Sequence, residues 1–126
     1  MRLLLDTCIF LWCVKNDAKL SKATRSKILA AEEVYVSSAS IWEAAIKIKL
    51  KKLDVDLTEL VASISKSDFI QLPITFAHAA ATHKLADIHR DPFDRMLIAQ
   101  SISEPLILLT ADKVLTSYSD FVHLAD

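Results

Sequence analysis

The chain has 126 residues, 52% of them hydrophobic and 25% charged, with a formal net charge of -1 and no glycine. That length and balance describe a single globular domain over residues 1–126 and exclude a disordered or fibrous chain. Without glycine, backbone amides cannot close around phosphates as they do in the Walker A loop or the dinucleotide fingerprint, which argues against both kinds of nucleotide binding.

The chain opens on MRLLLDTCIFLW. Its leucines form a short apolar run suited to a buried strand that ends at Asp6, and TCIFLWCV continues as a helix. Asp6 interrupts the run before it reaches the length of a signal-peptide core, so no secretory signal is expected. Cys8 and Cys13 fall on this helix at a spacing unlike zinc or redox pairs and read as buried free thiols. Residues 19–32 form a second helix, with Leu20, Ala23, Ile28 and Ala31 on one broad face and Lys27 intruding on it. VYV at 34–36 is β-branched and aromatic, hence a strand.

SSASIWEAAIKIKLKK then reads as a long helix with Ile41, Ala45 and Ile48 at helical spacing. Its end, KIKLKK at 47–52, is either a solvated last turn favoured by the helix dipole or a patch that neutralises nucleic-acid phosphates. The charge is unevenly divided: residues 1–52 hold ten basic and five acidic residues, residues 53–126 five basic and eleven acidic.

A helix over 57–65, a strand FIQL at 69–72 and an Ala-rich helix over 75–85 follow. A helix from Pro92, a strand LILL at 106–109, a short helix at 114–118 and a strand FVHL at 121–124 complete the chain. The longest stretch without formal charge, residues 69–83, includes Gln71, Pro73, Thr75 and two histidines. It is no membrane span, and a soluble cytoplasmic protein is expected. Apolar strands alternating with helices predict an α/β domain with a parallel sheet covered on both faces. Ligands in such sheets bind beyond the carboxyl ends of the strands.

Four acidic residues fall near those ends: Asp6 after LLL, Glu43 seven residues after Val36, Asp94 in the first turn of its helix, and Asp112 three after Leu109. Each has a structural explanation. Asp6 can cap its helix, and SIWE at 40–43 matches the capping box. In DPFD, Asp91 suits the cap, Pro92 the first helical position, and Asp94 a place where the dipole favours negative charge. Thr110 can cap with Asp112 in the first turn after it. Caps, however, do not require charges to converge on one edge of a sheet, where like charges raise one another's pKa and cost stability. A hard divalent cation such as Mg²⁺ or Mn²⁺ would neutralise them.

With these residues in view, the sequence resembles the PIN-domain family, specifically VapC-type toxins of toxin–antitoxin pairs. The segments LLLDTCIFLW, SSASIWEAAIKIKLKKL, HRDPFDRMLIAQ and LILLTAD carry the likeness in the right order. The resemblance implies a three-layer α/β/α domain and an endoribonuclease dependent on Mg²⁺ or Mn²⁺. Asp6, Glu43, Asp94 and Asp112 would be its catalytic and metal-holding acids, and Thr110 its hydroxyl residue beside the last acid. It also implies a homodimer, an RNA substrate and a cognate antitoxin protein that covers the site. Asp91 would support the site, and Arg95 with the lysines at 47–52 would contact phosphates, unless Arg95 pairs with a carboxylate.

Two rival readings remain. A haloacid dehalogenase-type phosphatase also begins with an aspartate after its first strand but needs a second two residues on, where this chain has Cys8. A non-catalytic PIN-like module binding RNA or protein would not require all four acids. His78 and His83 lack a metalloprotease pattern and read as surface or satisfied core residues, and His89 and His123 show no partner in sequence. Phe10, Trp12 and Trp42 are expected in the core or a dimer interface.

Overall fold

In the computed structural model, which describes residues 1–125, the leucine run forms β1 (Arg2–Leu5), the middle strand of a five-stranded parallel sheet. The chain continues through α1 (Thr7–Lys15), α2 (Lys22–Ala30), β2 (Glu33–Ser37), α3 (Ser38–Lys49) and α4 (Leu57–Lys66). Then come β3 (Ile70–Leu72), α5 (Phe76–Ala81), α6 (Pro92–Ser103), β4 (Ile107–Thr110) and β5 (Val122–Leu124). Single 3₁₀ turns at Thr82–Lys84 and Lys113–Ser117 follow α5 and β4.

The sheet order is β3-β2-β1-β4-β5, every pair parallel. The first three strands step outward from β1 on one side and the last two on the other. β1 and β4 therefore flank the topological switch point, where connections leave the sheet in opposite directions and a crevice opens.

Strand alternation divides the core into two layers. Leu3, Leu5 and Leu109 pack on one face with Ile9, Phe10, Ile28, Leu60 and Ile64, drawn from α1, α2 and α4. Leu4 and Leu108 pack on the other with Leu97 and Ile98 of α6. The result is the expected three-layer α/β/α arrangement, and β1, apolar on both faces, is its centre.

Lacking glycine, the chain places other residues in the left-handed conformation where helices end. Asn16 (φ 52°), Lys51 (φ 60°) and Asp68 (φ 59°) take it after α1, α3 and α4. Behind α4, the amides of Phe69 and Asp68 donate to the carbonyls of Ile64 and Ser65, and behind α3 those of Lys52 and Lys51 donate to Lys47 and Ile48. Both are Schellman closures, which satisfy the last helical carbonyls at the steric cost of a Cβ.

Several boundaries differ from the sequence pattern for local reasons. α2 begins at Lys22 rather than at residue 19 because Ser21 accepts a hydrogen bond from the Thr24 amide, while the Lys19 amide turns to Asp17. α5 stops at Ala81, short of residue 85, where the Thr82 carbonyl is taken by Arg95 and the Thr82 hydroxyl by the Ala79 carbonyl. Phe10 is buried as expected and Trp12 partly so, but Trp42 is 60% exposed, with its ring edge-to-face against Phe93. Among the described residues, no helix is long and apolar enough to cross a membrane.

Candidate active site

Asp6 leaves the end of β1 with its amide still paired to the Leu109 carbonyl of β4. One carboxylate oxygen accepts from the Ile9 amide, which makes Asp6 the N-cap of α1 as anticipated. The other accepts from the Thr110 hydroxyl at the end of β4. Burial pushes the Asp6 carboxyl above its ordinary value, against the lowering effect of Thr110 and the backbone amides. Thr110 does not cap a helix: β4 continues through it, and its oxygen bridges Asp6 and the Asp112 amide, leaving Asp112 to cap the 3₁₀ turn.

The SIWE capping box does not form. β2 runs through Ser37, paired with Leu72, and the Ser37 hydroxyl caps α3 three residues earlier than the motif suggests. Ser40 is thereby buried, accepting from the Thr7 hydroxyl. Glu43 lies inside the helix instead of at its start, with its side chain only 13% exposed. One of its oxygens pairs with Lys47 at 3.0 Å, and the other is buried without a hydrogen-bond partner among the described residues. Of the KIKLKK lysines, Lys47 therefore faces the acids, while Lys51 and Lys52 lie exposed beyond the helix end.

Asp91 caps α6 as expected, accepting from the Phe93 and Asp94 amides, with Pro92 at the first helical position. This start sets Asp94 toward the switch point. Burial, and the Asp91 charge behind it, push the Asp94 carboxyl up to about 6, although a hydrogen bond from His89 favours its charged form. Since Asn is as good an N-cap as Asp, Asp91→Asn is expected to keep the stability of wild type, whereas Asp91→Ala loses about 1 kcal/mol in denaturant titration.

Asp6, Glu43, Asp91, Asp94 and Asp112 line one cleft of about 470 Å³, with Lys47 and Lys113 beside them. Cys8 lines it too. Both thiols are free, but the expectation that they are buried fails: Cys13 is half-buried, and Cys8 is exposed because the second position of α1 faces the cleft. Partial burial and the neighbouring Asp6 hold that thiol above its usual pKa, so it is a poor nucleophile at neutral pH.

His89 was missed by sequence reading. Its Nε2 lies 3.0 Å from Asp94 Oδ2, and one donor atom each from His89, Asp94 and Asp112 lie within 4.8 Å of one another. Arg95 meets no carboxylate among the described residues. Its guanidinium donates to the carbonyls of Thr82, Ala86 and His89 and to the Tyr118 hydroxyl. His78 is a satisfied core histidine: its Nδ1 accepts from the Thr75 amide and its Nε2 meets Glu104 at 2.6 Å.

Residues 3–120 match the family profile described as the PIN domain. The chain belongs to the PIN-domain family. Comparison with curated proteins finds no match. Among solved structures, a chain of VapBC2 from Rickettsia felis, bound to a DNA fragment from its promoter, aligns over 100% of both chains at 14% identity with a TM-score of 0.76. A chain of DNA-bound VapBC from Salmonella typhimurium aligns over 98% of this chain and 96% of its own, at 17% identity and TM-score 0.68. A chain of a toxin–antitoxin complex from Klebsiella pneumoniae aligns over 96% and 95%, at 16% identity and TM-score 0.66. The likeness is one of fold.

The PIN cleft offers a donor set suited to a hard divalent cation: several carboxylates at an open position, one with a buried oxygen that no group among the described residues satisfies. Without a cation the cluster works against stability. Asp94 rises from 3.8 to about 6 on folding, so between those values the native state binds more protons than the unfolded state, and stability falls as pH rises through the window. In EDTA, Asp94→Asn is therefore expected to melt about 2–5 °C above wild type at pH 7, with the gap closing toward pH 4.

Proposed function

We propose that this PIN domain is a divalent-metal-dependent endoribonuclease, acting as the toxin of a toxin–antitoxin pair. In this reading it works as a homodimer in the cytoplasm and is restrained by a cognate antitoxin. Membership of the PIN family and the likeness of fold to chains of VapBC complexes support it. The observation that carries it is the convergence of Asp6, Glu43, Asp94 and Asp112 on one cleft at the β1–β4 switch point.

Asp6, Asp94 and Asp112, with Glu43, would hold Mg²⁺ or Mn²⁺. Bound there, such an ion would supply charge neutralisation for the carboxylates and Lewis-acid activation of phosphate and water. The chain's own work is positional. Thr110 and the Ile9 amide fix the Asp6 carboxylate, the Asp91 cap fixes Asp94, and Lys47 is placed to shift from Glu43 toward an incoming phosphate. Hydrolysis by attack of water would leave a 5′-phosphate and a 3′-hydroxyl. The phosphatase alternative lacks its second aspartate, since Cys8 stands there.

Purified protein is expected to cut RNA with Mg²⁺ or Mn²⁺, to stop in EDTA, and to resume when metal is restored. Cleavage undiminished by EDTA would reject the metal mechanism, and no cleavage under any metal would reject the nuclease.

A further inference from the structure

We propose that His89 supplies a nitrogen donor to the cation site, so that the cleft holds Mn²⁺ in preference to Mg²⁺. This rests on the reading of the cleft as a metal site and adds to it a residue that is not one of the four acids. Donors around one octahedral ion with bonds of about 2.1 Å stand about 3 Å apart when adjacent and about 4.2 Å when opposite. The His89, Asp94 and Asp112 donor atoms, all within 4.8 Å of one another and with Nε2 3.0 Å from Asp94 Oδ2, need only a small closure to reach that spacing.

His89 is also held in place, although it lies in an irregular segment. Its amide donates to the Tyr118 hydroxyl at 2.7 Å, and its carbonyl accepts from that hydroxyl at 3.2 Å and from Arg95 at 3.3 Å. Tyr118 directly follows the 3₁₀ turn that Asp112 caps, and Arg95 directly follows Asp94. The two elements that carry the oxygen donors thus clamp the backbone of the nitrogen donor between them, an arrangement that holds three donors in register before an ion arrives. Imidazole suits first-row transition ions, whereas Mg²⁺ takes oxygen ligands and retains its water. A mixed nitrogen–oxygen set therefore favours Mn²⁺ over Mg²⁺.

The opposing reading keeps His89 outside the coordination shell as a hydrogen-bond donor that orients Asp94, as outer-shell groups commonly do. The two separate by spectroscopy on the intact protein. Mn²⁺ added to wild type is expected to show a ¹⁴N coupling by pulsed electron paramagnetic resonance, and His89→Gln, which retains an amide donor for Asp94, is expected to lose it. Titration calorimetry should then find Mn²⁺ affinity lowered about tenfold or more in His89→Gln and Mg²⁺ affinity by less than about threefold. Circular dichroism melts check that the variant is folded, and His89→Asn offers a second variant if it is not. Mn²⁺ bound to wild type without nitrogen coupling, or equal losses for both ions, overturns the role of His89 while leaving the metal site intact. If neither Mn²⁺ nor Mg²⁺ binds wild type, both the role of His89 and the metal site are overturned.

Discussion

Asp94→Asn is expected to lower metal-dependent RNA cleavage about 10³-fold or more, equivalent to about 4 kcal/mol of transition-state stabilisation, while the protein remains folded. The asparagine preserves the shape of the side chain and can still pair with His89, and Asp91 still caps the helix. Only the negative charge is removed. Because that charge is destabilising in the metal-free protein, loss of activity should coincide with an unchanged or raised melting temperature, a combination that misfolding cannot produce. Asp6→Asn should lose activity to a similar degree by a less simple route. Its oxygen can keep the Ile9 amide, but its amide then faces the Thr110 hydroxyl, which already accepts from Asp112. Cleavage of a labelled RNA, read beside thermal melts, decides both; Asp94→Asn within tenfold of wild type would remove Asp94 from the chemistry.

The contrast between these variants follows how much of the site could be read before the structure. DPFD was legible because its signals are local: a cap, a proline and an acid within one helical turn. The strands were legible because their apolar runs are short and bounded. SIWE misled because a four-residue motif contains no information about where the preceding strand ends. The ladder carries β2 through Ser37, so the competing cap wins and Ser40 is drawn into the core. Nor does periodicity reveal that β4 pairs with β1. That pairing brings Thr110 onto Asp6 across 104 residues of sequence and turns separate helix-start acids into one cluster. His89 lies in a segment with no period at all, and its partners Asp94 and Tyr118 come from different elements.

Arg95 illustrates the same limit and yields the second large effect. Next to Asp94 in sequence, an arginine reads naturally as a phosphate contact. In the fold its two terminal nitrogens are spent on three backbone carbonyls and a tyrosine hydroxyl, tying the segment between α5 and α6 to the first turn of α6. Arg95→Ala leaves those carbonyls without a charged donor and is expected to cost about 2 kcal/mol, a fall in melting temperature of roughly 5–10 °C. Arg95→Lys should recover only part of this, because a single ammonium cannot reproduce a planar fork that reaches acceptors on two sides. A phosphate-binding arginine would behave differently: Arg95→Ala would melt like wild type and raise KM for RNA, with kcat little changed. The expected result is the reverse, with the melting temperature lowered and Mn²⁺ affinity falling with it, because the Arg95 fork is one of the two anchors holding His89 beside Asp94.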